Sequence, residues 1–158
     1  MDGEKGRVTR DFELDWETER RILDSVEGHA NEPVVLIASL FLFSCAHQYK
    51  SEHEHYRTRL LLCTEGGTAV AHERERKLAF SNCVGRLVEK AKSVGALKSS
   101  CNAIALAAHL YEMHSAIMLD ACMQNASMVE AKMRLKSRLA DVLTPHLETY
   151  GPLNPYRH

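Results

Sequence analysis

The chain has 158 residues, 45% of them apolar, and its 20 basic and 21 acidic residues leave a net charge of −1. That length fits one domain with a real core, and the balanced charge excludes a surface coated in bases for nucleic acid while leaving room for a local basic patch. Eight glycines and four prolines suit a protein of few turns and long elements.

Residues 1–11 read as a disordered leader, charged and without the apolar stretch of a signal peptide. Phe12, Trp16, Leu23 and Val26 then mark one face of a short helix, with Ile22 beside it, Asp15 as a cap and Gly28 as a stop. Asn31 and Pro33 signal a second start, a capping residue followed by proline in the first turn. Nothing interrupts the pattern from Pro33 to Cys63, which predicts one helix of about 46 Å. Its opening, Val34 to Ala46, is apolar nearly all round but too short for the roughly 20 residues of a membrane span. Beyond it a heptad seam runs through Leu42, Ala46, Tyr49, His53, Tyr56, Leu60 and Cys63.

Gly66 and Gly67 break this helix, and Thr68 is placed to cap the next. That helix reaches about Val94, with a polar first half around His72 to Lys77 and a seam of Phe80, Val84, Leu87, Ala91 and Val94. The seam slips phase at Gly95 and Ser99-Ser100, which favours a turn over one kinked continuous helix. The last helix has two apolar seams, one through Leu97, Cys101, Ile104, Tyr111 and Met118, the other through Ala107, Leu110, His114, Ile117 and Ala121, then Met128 and Leu135. A helix with two seams touches several neighbours, so it is expected at the centre. Thr144-Pro145 ends it. No alternation marks a strand.

The expected architecture is therefore all-α: a short N-terminal helix plus three long helices in an antiparallel coiled-coil-like bundle. Residues 12–144 form the single bundle domain, and 145–158 an irregular C-terminal tail. Three long helices leave apolar faces uncovered, so a homo-oligomer is expected. Val34, Leu36, Ile37, Leu40, Phe41 and Phe43 form its interface or the deepest core.

Few residue groups point to chemistry. The five cysteines, Cys45, Cys63, Cys83, Cys101 and Cys122, have no metal or redox spacing and read as reduced, buried thiols of a cytoplasmic protein. Among nine histidines, Glu52, His53 and His55 contain a Glu-x-x-His step which, with His114, could hold a metal in a four-helix enzyme. Only one copy of the step is clear, and for His53 and His114 a core histidine beside Tyr49, Tyr56 or Tyr111 is the simpler reading. Five methionines recur every five residues from Met113 to Met133. Five residues turn a helix by about 500°, so their sulfurs scatter around the axis and make no ligand stripe. Arg57, Arg59, Arg74, Arg76 and Lys77 surround the glycine break as candidate contacts to a partner or nucleic acid, diluted by Glu65, Glu73 and Glu75. No phosphate loop, nucleophile elbow or paired-cysteine zinc motif is present, so neither catalysis nor a cofactor is expected.

The segment from Tyr56 to Ala79, centred on Glu65-Gly66-Gly67-Thr68-Ala69-Val70-Ala71-His72-Glu73-Arg74-Glu75, resembles a pattern in small helical proteins encoded by bacteriophages and prophages. In those a helix ends in Glu-Gly-(x)-Thr and the next opens with Val-Ala-Glu-Arg-Glu-Ala-Lys-Ala. This chain has an extra residue before Glu73, and His72 and Arg76 replace the family's residue types. The resemblance implies a third helical stretch around Leu97 to Met118, a phage origin and a host-cytoplasmic location. Such proteins are often encoded near recombination genes. The leading expectation is a non-enzymatic protein that binds host or phage proteins. A nucleic-acid accessory subunit in recombination or CRISPR-related complexes and a metal-binding four-helix enzyme are its rivals.

Overall fold

A computed structural model describes residues 16–26, 32–49 and 53–148, apart from the side chains of residues 53–55 and 59. The chain is all-α, with no strand among the described residues. The six α-helices there are α1 (16–26), α2 (Pro33–Tyr49), α3 (His53–Thr64), α4 (Thr68–Ser93), α5 (Ala103–Met123) and α6 (Met128–Leu143). The expected leader, Phe12, Asp15, Gly28, Asn31, Glu52 and the tail from residue 149 lie outside the described residues.

The last of the three expected long helices is divided. The expected helix from Pro33 to Cys63 is described as α2 and α3, and residues 50–52 between them lie outside the described residues. Tyr49, the last described residue of α2, donates its hydroxyl to the Ala126 carbonyl at 2.6 Å, across the molecule. The last expected helix splits into α5 and α6 at a fully specified stop and start. Asn125 takes φ 53°. The amides of Ala126 and Asn125 donate back to Ala121 and Cys122 at 2.9 and 3.1 Å, closing α5 with a Schellman motif. Ser127 then caps α6, accepting from the Glu130 amide at 3.2 Å while the Glu130 carboxylate accepts from the Ser127 amide at 2.7 Å.

α4 runs within one residue of its expected bounds. The glycine pair before it is needed as glycine, since Gly66 and Gly67 hold φ of 79° and 71°. Gly67 occupies the N-cap position and Thr68 is the first helical residue, so Thr68 does not cap as expected. The phase slip near Gly95 is a turn. The Ala96 and Gly95 amides donate to Ala91 and Lys92, and Asn102 caps α5 by accepting from Ala105 at 3.0 Å. This turn is fastened to the end of the described chain. Lys98 donates to the His146 carbonyl at 2.8 Å and Glu148 to Ala96 at 3.1 Å, with Leu147 buried between. The expected irregular tail is thus partly built into the fold.

α5 packs against α2, α3, α4 and α6, as its double seam implied. Both seams are largely buried: Ala107, Leu110, His114 and Ala121 of the second, and Leu97, Cys101, Tyr111 and Met118 of the first, where Ile104 alone of the five named is exposed, at 84%. In α2 the buried stripe is Val34, Ile37, Phe41, Ser44 and Gln48, flanked by Leu40, Cys45 and Tyr49, while Leu42 and Ala46 of the expected seam are only half-buried. Phe41 and Phe80 meet at a centroid distance of 6.1 Å, and Phe80 and Tyr111 at 6.2 Å, so α2, α4 and α5 share one aromatic centre. Burying a side chain such as Phe41 contributes about 1.5–3 kcal/mol.

Candidate functional site

The polar half of α4 holds a residue that the pattern does not announce. Arg76 is 2% exposed, one helical turn before Phe80. Its Nε donates to Glu19 Oε2 at 2.5 Å and its Nη2 to Glu19 Oε1 at 3.2 Å and to Ser44 Oγ at 2.6 Å. Gln48 donates to the same Ser44 hydroxyl at 2.5 Å, and the guanidinium carbon lies 5.3 Å from the Phe80 ring centroid. One side chain therefore joins α1, α2 and α4. Burial works against the Arg76 charge, but Glu19 first, then Tyr111 and Glu73, outweigh it and hold its pKa above the ordinary value.

This geometry corrects the reading of Arg76 as a surface contact for a partner or nucleic acid. A base that is paired inside the protein does not reach a ligand. It also changes the meaning of the neighbouring acids. Glu73 lies 3.6 Å from Arg76 Nη1, and Glu75 pairs with Arg20 of α1 at 3.2 Å. Two of the three acids that seemed to dilute the basic patch, Glu73 and Glu75, are engaged with arginines of the protein itself. Arg74 and Lys77 are left exposed, and both border a shallow depression of about 270 Å³ together with Cys63, Val70, Glu73, Tyr111 and Ser115. Next to them, Leu78 is 63% exposed. Arg74 and Leu78 are four residues apart and so neighbours on one helical face. Arg57 is exposed on α3 and donates to Asn125 Oδ1 at 2.8 Å; the Arg59 side chain lies outside the described residues.

The metal candidates do not assemble among the described residues. Glu52 and the side chains of His53 and His55 lie outside them, and no group of three potential ligands occurs within them. His114 is 2% exposed, its ring 5.4 Å from Phe41 and 6.2 Å from Tyr111, so it sits in the aromatic centre. Of the expected interface residues, Val34, Ile37, Leu40 and Phe41 are core of the single chain, and Leu36 and Phe43 are half-buried against it or beside it. The apolar surface of those four is covered within one molecule. The methionines of α5 scatter as the rotation requires: Met118 is fully buried and Met123 is 66% exposed.

The cysteines carry no disulfide; Cys45, Cys83, Cys101 and Cys122 are buried and Cys63 is half-buried. Burial pushes the Cys45 thiol up to about 11 against the opposing pull of Lys132, and burial with Asp24 raises Cys83 to about 11. These are poor nucleophiles at neutral pH, unlike catalytic thiols.

A second surface feature lies on the far side of α5. Met113, Ala116 and Ile117 of α5 and Met133 and Ser137 of α6 line an open groove of about 980 Å³. Its rims carry Asp120 paired with Arg134 at 3.4 Å and Arg138 paired with Asp141 at 3.8 Å. No helix among the described residues is long and apolar enough to cross a membrane. No protein family, curated protein or solved structure matches this chain.

Proposed function

We propose that this chain is a non-enzymatic interaction protein, its helices arranged as an antiparallel coiled-coil-like bundle. It binds an acidic segment of another protein against α4, at Arg74, Lys77 and Leu78. One observation carries the reading: Glu73 and Glu75 are drawn to Arg76 and Arg20, which leaves two exposed bases around an exposed leucine. Such a patch supplies an apolar anchor and a charged rim, the usual division of labour at protein interfaces. The likeness of residues 56–79 to phage and prophage proteins supports a phage origin, a host-cytoplasmic setting and a host or phage protein as partner.

The same two bases, with Arg57, support a second reading, a nucleic-acid accessory subunit. Phosphate contacts need the bases but not Leu78, and their strength falls steeply with salt. Affinity capture with three baits separates the readings: the natural chain, Leu78→Asp and Arg74→Glu/Lys77→Glu. The proposal expects one acidic protein to be lost from both variants and to survive nuclease treatment. Material that is lost with nuclease, or that Leu78→Asp still captures, overturns it.

A further inference from the structure

We propose that the α5–α6 face is the docking surface for a second copy of this chain, related by a two-fold axis. This goes beyond the α4 reading and uses a different surface. Met133 lines the groove between α5 and α6 and is 67% exposed; Val129, one turn earlier on α6, is 62% exposed, and Met123, at the end of α5, 66%. Met133 thus offers an exposed apolar side chain at a groove floored by Met113, Ala116 and Ile117, and Val129 and Met123 are exposed apolar residues on either side of the α5–α6 connection. Flexible methionines adapt readily to an opposing apolar surface.

The charges on this face identify the occupant. The rims hold two acids and two bases, Asp120, Asp141, Arg134 and Arg138. An acidic segment, a basic segment or a nucleic-acid backbone meets as many like charges as opposite ones there. A two-fold copy does not, because in an isologous contact each residue can face its complement on the partner. Arg138 and Asp141 are the pair set to exchange. Their side chains are 66% and 65% exposed and 3.8 Å apart, against 40% and 54% for Arg134 and Asp120. Each Arg138 then faces the Asp141 of the other copy, while Met133 and Val129 close the contact.

The test is sedimentation velocity of the full chain over a concentration series. The natural protein is expected to pass from monomer to dimer with rising concentration. Met133→Glu should weaken the dimer by about tenfold or more, as loss of an apolar anchor does. Ile104→Glu, on the exposed start of α5 away from this groove, should leave it unchanged. Arg138→Glu and Asp141→Arg should each weaken it alone, and an equal mixture of the two should restore association, because the mixed pair is complementary at both contacts. Circular dichroism confirms that each variant folds. A monomer at all concentrations up to about 1 mM, the weak limit of specific binding, overturns the proposal. So does a dimer indifferent to Met133→Glu, or one that mixing fails to restore.

Discussion

Arg76 and Glu19 stand 57 residues apart in the chain and meet through two hydrogen bonds, 2.5 and 3.2 Å, with both side chains at most 3% exposed. The pair ties α1 to α4, and through Ser44 to α2. Trp16 and Leu23 bury the apolar side of α1 around it, and the Cys83 thiol donates weakly to the Leu23 carbonyl at 3.8 Å.

Breaking this pair from either side leaves a buried charge without its complement. Glu19→Ala or Arg76→Ala should each lower unfolding stability by about 3–5 kcal/mol. The double variant should cost less than the sum by about 1–3 kcal/mol, as urea denaturation of the four proteins would measure. Raising salt should change these values little, because a buried pair is poorly screened. Additive costs would show that the two side chains act separately.

The thiols should divide into two kinetic classes. Half-buried Cys63 should react with an aromatic disulfide reagent at once in the native protein, and the other four only as the chain opens. Stability should also fall at alkaline pH. Cys45 and Cys83 keep their protons up to about 11 in the folded chain, above the ordinary 9.0. Between those values the unfolded chain binds fewer protons than the folded one, so each unit of pH favours unfolding. Replacing both by alanine should flatten the thermal-melting profile from pH 9 to 11.

The α5–α6 boundary should respond to local changes in a set order. Ser127→Ala removes the cap and should cost about 1 kcal/mol. Asn125→Gly should be nearly neutral, since glycine accepts the positive φ, whereas Asn125→Val should cost more than the cap does. Acidification should weaken the same cap: hydrogen bonds from Ser127, backbone first, lower the Glu130 pKa below 4.5. That stability is present above the unfolded value and is lost as pH falls through the folded one. Guanidinium melts near neutral pH and at about pH 3 should show a larger difference between the natural and Glu130→Gln proteins at neutral pH.

Much of this fold could be read from the chain, and the misses have identifiable causes. The Gly66-Gly67 break and the Phe80–Ala91 seam fixed α4 because glycine and heptad signals are local. The α5–α6 break was also written locally, as Asn125 followed by Ser127-x-x-Glu130. A continuing apolar seam through Met128 and Leu135 masked it. Ser44 and Gln48 escape notice, and Arg76 reads as a surface base, because a polar residue on a buried stripe looks like the edge of that stripe. Only Glu19, far away in sequence, makes Arg76 a core residue. The same long-range pairing decides which acids near the hairpin remain available, and so which bases face solvent. The candidate site therefore needed the structure, although Arg74 and Lys77 were in view from the start.

Leu78 offers a clean separation of binding from folding. At 63% exposure it contributes little to the core, so Leu78→Asp should shift unfolding stability by no more than about 0.5 kcal/mol. Denaturant titration of that variant checks this before any binding comparison.

The most direct test of the α4 surface is fluorescence anisotropy of two labelled probes titrated with the full chain. One is a leucine-bearing acidic peptide, the other a single-stranded oligonucleotide of matched charge. The expected result is binding of the peptide, reduced by salt and abolished by Leu78→Asp as well as by Arg74→Glu/Lys77→Glu. Tight binding of the oligonucleotide that Leu78→Asp leaves intact would contradict it.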